Sequence, residues 1–119
     1  MTQTLLIVDD HASFRGFART LLDDDEFQVT GEAEDGESAL TEVERLHPDV
    51  VLLDVQLPGI DGFEVARRLA ETPSAPHVVL TSSRDASDYG KRLEQSPIDG
   101  FISKGELSAD SLAALVSTG

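Results

Sequence analysis

The sequence predicts an α/β domain built on one parallel sheet with helices on both faces. Five short apolar runs alternate with five segments of helical periodicity, and strict alternation of this kind implies parallel strands joined by right-handed crossovers. The chain has 119 residues, 39% of them hydrophobic, which is enough for a single core. No internal repeat or linker divides it. We therefore expect one domain spanning residues 1–119.

The elements of the first half are predicted from apolar runs and from amphipathic periodicity. In chain order they are a strand at 4–8, a helix at 12–22, a strand at 28–33, a helix at 36–46 and a strand at 50–54. His47-Pro48 ends the second helix, because proline disfavours helical geometry in the residue before it. The side chains expected to face the core are Phe14, Phe17, Ala18, Leu21 and Leu22 in the first helix and Ala39, Leu40, Val43 and Leu46 in the second.

The second half of the chain continues the same alternation of strands and helices. In order it contains a helix at 63–70, a strand at 77–81, a helix at about 86–94, a strand ending at 101–103 and a final helix capped by Ser108. The fourth helix is poorly specified, because Gly90 lies in its middle and its apolar stripe consists only of Ala86, Tyr89 and Leu93. The final helix is expected to bury Leu112, Leu115 and Val116.

Composition and charge exclude several classes of protein. The chain has no cysteine, so neither disulfides nor thiolate metal sites can form. Its net charge of −14, from 23 acidic residues and 9 lysines and arginines, opposes direct binding to nucleic-acid phosphates. Residues 1–10 carry no basic segment and only a short apolar run, which is unlike a signal peptide or a membrane span. We expect a cytoplasmic protein that does not contact membranes.

Acidic side chains directly follow two of the predicted strands. Asp9 and Asp10 come after the apolar run at 5–8, and Asp54 closes the run at 50–53 before a loop rich in proline and glycine. In an open α/β sheet, ligands bind at the carboxyl ends of the strands. The sequence therefore predicts an acidic cluster at this edge of the sheet.

Four strand ends together carry a pattern that points to a known family. Asp9-Asp10 follows the first strand, Asp54 lies within Leu-Leu-Asp-Val-Gln-Leu-Pro-Gly-Ile-Asp-Gly, Thr81 ends the fourth strand and Lys104 ends the fifth. With these residues the chain resembles, over essentially its whole length, the receiver domain of bacterial two-component response regulators. The resemblance implies a flavodoxin-like doubly wound (βα)5 fold with strand order 2-1-3-4-5, in which the first and third strands are neighbours.

The resemblance implies that Asp54 accepts a phosphoryl group from a phosphohistidine of a sensor histidine kinase. Neighbouring strands lie about 4.8 Å apart, and carboxylates at that separation repel by roughly 3–4 kcal/mol at an effective dielectric constant near 20. A hard divalent cation relieves this repulsion. The resemblance implies Mg²⁺ held by Asp10, Asp54 and the backbone carbonyl of Gln56, with Asp9 acting mainly through water.

The resemblance also implies roles outside the acidic cluster. Lys104 and the Thr81 hydroxyl would neutralise charge on the transferring phosphoryl group. Thr81 and Phe101 would form the switch, because Phe101 can turn into the space that Thr81 leaves when it moves. Gln56 and Ser83 flank the acceptor and would tune the lifetime of the phosphoryl group. The output surface would comprise the fourth helix, fifth strand and fifth helix, which could also pair two copies as a homodimer.

The expected output is control of transcription. Residues 99–104 resemble receivers attached to helix-turn-helix DNA-binding domains, so the chain either ends here or was cut from a longer regulator. We expect no enzyme activity beyond its own phosphorylation and dephosphorylation. One alternative is a Mg²⁺-dependent aspartyl phosphatase, although such enzymes need an aspartate where this chain has Gln56. The other is a pseudo-receiver that binds partners without being phosphorylated.

Gly105 and the three histidines lie outside the pattern of acidic and switch residues. Gly105 follows Lys104, where the family usually has a proline. His11, His47 and His77 lack the spacing of a metal site, such as two histidines four residues apart, and are interpreted as structural or exposed.

Overall fold

The structure, a computed structural model, describes residues 2–116, so Met1 and residues 117–119 of the expected domain lie outside it. The strands are β1 (Gln3–Val8), β2 (Phe27–Ala33), β3 (Val50–Asp54), β4 (His77–Ser82) and β5 (Gly100–Ser103). The helices are α1 (Ala12–Leu22), α2 (Gly36–Leu46), α3 (Gly62–Ala70), α4 (Lys91–Glu94) and α5 (Ala109–Val116). Single 3₁₀ turns lie at Ala86–Asp88 and Lys104–Glu106.

All five strands pair in parallel, in the order β2-β1-β3-β4-β5. This confirms the predicted doubly wound α/β fold and makes β1 and β3 neighbours at the switch point. In their register Val8 pairs with Leu53, and Asp54 pairs with Thr81. The residues that follow these strands therefore meet at one edge of the sheet.

The helices form two layers, each covering one face of the sheet. Alternate residues of β1 point to opposite sides, so Leu6 and Val8 pack beneath α2 and α3 while Leu5 and Ile7 pack beneath α1 and α5. These four side chains are at most 1% exposed, and burial of each contributes about 1.5–3 kcal/mol. No helix among residues 2–116 is both long enough and apolar enough to span a membrane.

The expected burial of Phe17 is wrong, since this residue is 56% exposed. The buried positions of α1 are Ala18 and Leu22, and Phe14 and Leu21 pack at the edge of the core. At about 100° per residue, Phe17 lies roughly 100° from Ala18, at the limit of that stripe. Its ring instead lies 6.3 Å from the ring of Phe14.

The predicted helix at 86–94 is also wrong in extent. A 3₁₀ turn at Ala86–Asp88 is separated from the one-turn helix α4 by Gly90, whose φ is +54°. A positive φ is accessible to glycine and breaks the helical path. Ala86 is exposed, whereas Tyr89 and Leu93 pack against the core.

Candidate functional site

The acidic side chains that follow β1 and β3 lie in one cluster. Asp9 is fully buried, Asp54 is 4% exposed and Asp10 is exposed at the rim. One donor atom each from Asp9, Asp10, His11 and Asp54 can be chosen so that all four lie within 4.8 Å of one another. The acidic cluster predicted from the strand ends is therefore present in the fold.

Backbone contacts fix Asp9 in place. Its N–H continues the pairing of β1 with β2 by donating to Ala33 O at 3.0 Å. Its Oδ1 accepts the His11 N–H at 2.8 Å, which turns the chain toward α1. Its carbonyl oxygen accepts a hydrogen bond from Arg15 Nη1 at 2.7 Å, and Arg15 is itself held by Glu32. The peptide between Asp9 and Asp10 is thus anchored from α1.

Asp54 is held by the loop that follows β3. Its Oδ1 accepts the Gln56 N–H at 3.2 Å, and the Val55 N–H donates to Thr81 O at 3.0 Å. At the start of α3 the Gly62 N–H donates to Val55 O at 2.8 Å. A Cβ on Gly62 would lie only 2.5 Å from the Asp54 carbonyl oxygen. This close approach requires glycine at the position.

Lys104 reaches the cluster from the 3₁₀ turn after β5 and does not end the strand as expected. Its Nζ lies 2.6 Å from Asp9 Oδ2 and 3.4 Å from Asp54 Oδ2. The ammonium also lies 4.3 Å from the centre of the Phe14 ring, within cation–π range. The Lys104–Gly105 peptide bond is trans. The lysine thus bridges the two buried carboxylates and lies nearer to Asp9.

The two buried carboxyl groups differ in proton affinity. Burial, followed by the nearby charge of Asp9, raises the pKa of Asp54 from 3.8 to about 6, although Lys104 opposes the shift. Burial alone would raise the pKa of Asp9 too. The nearby Lys104 ammonium and the hydrogen bond from the His11 N–H outweigh it and hold the Asp9 pKa below its ordinary value. Asp9 is therefore the permanent anion of the pair, and Asp54 is ionised above about pH 6.

The donor atoms of this cluster fit a hard divalent cation. Asp9 Oδ2 is buried, and although Lys104 lies close to it, it accepts no hydrogen bond from the residues the structure describes. A buried carboxylate oxygen with unused lone pairs is a typical ligand for Mg²⁺, which prefers oxygen donors. Asp10 and Gln56 line one depression of about 510 Å³ beside the cluster. The residues present can hold the ion that the resemblance implies.

The proposed switch residues lie on the side of the cluster that faces β5. Thr81 is fully buried and is the penultimate residue of β4, not its last. Its hydroxyl donates to Ile102 O at 2.6 Å, so it is engaged with β5. Phe101 is partly buried, and its ring lies 6.0 Å from that of Tyr89. Ser83 is exposed in the loop after β4.

Three residues of this region were not singled out as functional from the sequence. His11 Nδ1 lies 3.1 Å from Asp9 Oδ1 and 3.0 Å from Asp10 Oδ1. Arg15 anchors the Asp9 carbonyl. The Tyr89 ring packs beside that of Phe101, and the Tyr89 hydroxyl lies 2.7 Å from Ser82 Oγ. Only the position of His11, directly after the acidic pair, offered a signal in the sequence.

The doubly wound fold, with a buried acidic cluster and a lysine at its switch point, defines a class of protein that the comparisons identify. The family model of the response regulator receiver domain matches residues 5–117. The chain belongs to this family, as the resemblance indicated. Receiver domains are components of two-component signalling systems, not enzymes for external substrates.

Individual relatives agree with this assignment. The chain is 38% identical over 112 residues to response regulator GacA of Pseudomonas viridiflava, covering 93% of this chain and 52% of that protein. It is 35% identical over 113 residues to transcriptional regulatory protein DegU of Brevibacillus brevis, covering 94% and 48%. The chain thus spans about half the length of these curated relatives.

A solved structure shows the same fold. The signal receiver domain of the putative response regulator NarL from Mycobacterium tuberculosis superposes with a TM-score of 0.86 at 29% identity. The match covers 99% of this chain and 98% of that one. Two of these three relatives are named as response regulators and the third as a transcriptional regulatory protein.

Proposed function

We propose that the chain is a phosphorylation-dependent signalling switch with Asp54 as the phosphoryl acceptor. The observation that carries the proposal is the contact set of Asp54: a nearly buried carboxylate 3.4 Å from Lys104, beside Asp9, at the switch point of the sheet. A raised pKa of about 6 leaves Asp54 mostly ionised at neutral pH, as a nucleophile must be. The donor would be a phosphohistidine of a sensor histidine kinase.

In the transfer, a carboxylate oxygen of Asp54 forms a bond to phosphorus while the bond from phosphorus to the imidazole nitrogen breaks. The bonding electrons leave with the imidazole, which takes up a proton. Lys104 stabilises the charge on the phosphoryl oxygens, because its ammonium already lies beside the Asp54 carboxylate. Asp9, Asp10, Asp54 and the Gln56 carbonyl would hold Mg²⁺. When bound, Mg²⁺ supplies positive charge that offsets the carboxylates and the phosphoryl oxygens.

Phosphorylation would be read out through Thr81. This residue pairs directly with Asp54 across β3 and β4, but its hydroxyl donates to Ile102 O. To donate to a phosphoryl group on Asp54, the hydroxyl must give up that bond and turn. Phe101 could then fill the space behind Thr81, and the change would reach the surface formed by α4, β5 and α5. The same surface could pair two copies of the chain.

The segment around Gly90 suits such a readout. It consists of a 3₁₀ turn and one helical turn, in which no residue is fully buried. Segments with few buried contacts open at low cost in free energy. The weak local structure therefore favours movement of this surface over movement of the sheet.

We further propose that the domain controls transcription through a separate DNA-binding segment and that residues 1–119 form a single receiver domain. The DegU relative is named as a transcriptional regulator and is about twice as long as the matched region. A net charge of −14 disfavours DNA contact by this chain itself. The domain would catalyse only its own phosphorylation and dephosphorylation, with Gln56 and Ser83 tuning the lifetime.

Intact-mass measurement tests the acceptor. After incubation with Mg²⁺ and acetyl phosphate, the protein should gain one phosphoryl group, and Asp54→Asn should gain none. Asp25→Asn is a matched control, since Asp25 is an exposed carboxylate far from the cluster in sequence, and it should keep the adduct. Catalytic release of phosphate without an adduct would favour a phosphatase. Neither adduct nor release would favour a pseudo-receiver.

A further inference from the structure

His11 places a nitrogen donor at the rim of the acidic cluster. Its Nδ1 lies 3.1 Å from Asp9 Oδ1 and 3.0 Å from Asp10 Oδ1. The side chain is 67% exposed, so packing does not force the imidazole into this position. The ring is instead oriented by the two carboxylates that precede it in the chain.

Hydrogen bonding alone does not account for the position of Nδ1 between two carboxylates. Nδ1 carries at most one proton, so it can donate one linear hydrogen bond and not two. Asp9 Oδ1 already accepts the His11 N–H at 2.8 Å. A carboxylate oxygen that is satisfied by the backbone gains little from a second, shared donor.

The same distances match the edges of a coordination polyhedron. Ligand atoms about 2.1 Å from an octahedral ion lie about 3.0 Å from their neighbours. The separations of Nδ1 from the Asp9 and Asp10 oxygens have this value, and all four donors lie within 4.8 Å of one another. The two separations from Nδ1 therefore have the dimensions of edges in a single ion's ligand shell.

A second observation points to a ligand independently of His11. The other carboxylate oxygen of Asp9, Oδ2, is fully buried and accepts no hydrogen bond from residues 2–116. Lys104 lies 2.6 Å away but outside hydrogen-bond geometry. The charge of this carboxylate is compensated by Lys104, but a buried oxygen that accepts no hydrogen bond keeps lone pairs available to a bound ligand.

We propose that His11 is a nitrogen ligand of the cation bound by this cluster, and that the site consequently favours transition ions such as Mn²⁺ and Co²⁺ over Mg²⁺. Imidazole suits transition metals, whereas Mg²⁺ prefers oxygen donors and keeps its waters. The inference rests on the proposed function only in taking the cluster to bind a cation. It assigns to this chain a stronger preference for transition ions than three carboxylates and a carbonyl alone would produce.

His77 offers a matched control within the same chain. Its Nδ1 also lies 3.1 Å from a carboxylate, Asp99 Oδ1, but at the amino end of β4. Removing either imidazole therefore removes a histidine that contacts a carboxylate. Only His11 adjoins the cluster.

The test is electron spin-echo modulation spectroscopy of the protein loaded with Mn²⁺. Coupling of the ion to an imidazole ¹⁴N is expected in the wild type and in His77→Ala and should be absent in His11→Ala. By calorimetry, His11→Ala should lose at least about tenfold in Co²⁺ affinity, since even residues that only orient metal ligands contribute 10–100-fold. Its Mg²⁺ affinity should stay within about twofold of the wild type.

Bound Mn²⁺ without nitrogen coupling in the wild type would overturn the inference, as would equal losses of Co²⁺ and Mg²⁺ affinity in His11→Ala. Absence of any Mn²⁺ binding would overturn it as well. The proposed function is judged separately, by the phosphoryl adduct on Asp54 in the presence of Mg²⁺. A wild-type protein that forms this adduct but shows no nitrogen coupling would keep the function and lose the His11 ligand.

Discussion

Lys104 pairs more closely with Asp9 than with Asp54: Nζ lies 2.6 Å from the Asp9 carboxylate and 3.4 Å from that of Asp54. The lysine therefore compensates the carboxylate that is always ionised and leaves Asp54 less strongly paired. This division keeps the proposed acceptor available, because a carboxylate engaged by a tight ion pair is a poorer nucleophile. Removal of the lysine would therefore cost Asp9 more electrostatic stabilisation than Asp54.

Lys104→Met should destabilise the fold at pH 7. Breaking a fully buried ion pair costs about 3–5 kcal/mol, and since the Lys104 side chain is 19% exposed we expect about 2 kcal/mol. Urea unfolding measures the difference, and added Mg²⁺ should restore part of it. Lys91→Met, at an exposed site on α4, should change stability by less than about 0.5 kcal/mol. Equal effects of the two substitutions would contradict the pairing described above.

Asp54→Asn should become more stable than the wild type as pH rises. The pKa of Asp54 is raised from 3.8 to about 6 in the folded protein, so the folded state binds this proton more tightly than the unfolded state does. The associated stability is present below about pH 4 and is lost as pH rises through about 6. At pH 7.5 the variant should therefore exceed the wild type by up to about 3 kcal/mol, and the gain should vanish near pH 4.

Unfolding free energies measured across this pH range in metal-free buffer check the prediction. The two proteins share every other titrating group, so their difference reports the titration of residue 54 together with its coupling to Asp9. A constant difference from pH 4 to 7.5 would show that Asp54 does not titrate as described.

Arg15→Ala should weaken cation binding, because Arg15 Nη1 holds the Asp9 carbonyl and with it the peptide that leads to Asp10. We expect a loss of about tenfold in Mg²⁺ affinity, as found for residues that orient metal ligands, and a loss of about 1–2 kcal/mol in stability. Arg19→Ala is the control. Arg19 forms an ion pair with the same Glu32, but its side chain is 44% exposed. The Arg19→Ala substitution should therefore lower stability by less than about 1 kcal/mol and leave Mg²⁺ affinity unchanged. Calorimetry that finds equal affinity losses would rule out a positioning role for Arg15.

Gly62→Ala should disrupt the loop around the acceptor. The new Cβ would lie 2.5 Å from the Asp54 carbonyl oxygen and 2.9 Å from Val55 Cα, so backbone must shift. We expect about 1–3 kcal/mol of destabilisation and slower phosphorylation by acetyl phosphate. Gly16→Ala, in the middle of α1 with no atom beyond the local helix backbone within 4 Å of the added carbon, should instead stabilise by about 0.5–1 kcal/mol. Thermal melts and phosphorylation rates of both variants measure the contrast.

Local patterns in the chain were sufficient for most of the fold. The apolar runs of β1 and β3 predict buried strands because short, continuous runs of aliphatic residues are typical of parallel strands covered on both faces, and the structure buries both runs. The prediction was wrong where local and tertiary preferences differ. Phe17 lies at the limit of the apolar stripe of α1 and is exposed, and Gly90 takes a positive φ that breaks the helical path.

The chain by itself determined which residues reach the functional edge, since a residue that follows a parallel strand must lie at the carboxyl end of the sheet. It did not determine which atoms meet there. Whether Lys104 approaches Asp9 or Asp54, and whether the Thr81 hydroxyl faces the acceptor or β5, depends on side-chain rotamers and on distances between strands far apart in sequence. Those distances are set only when the two layers of helices pack on the sheet.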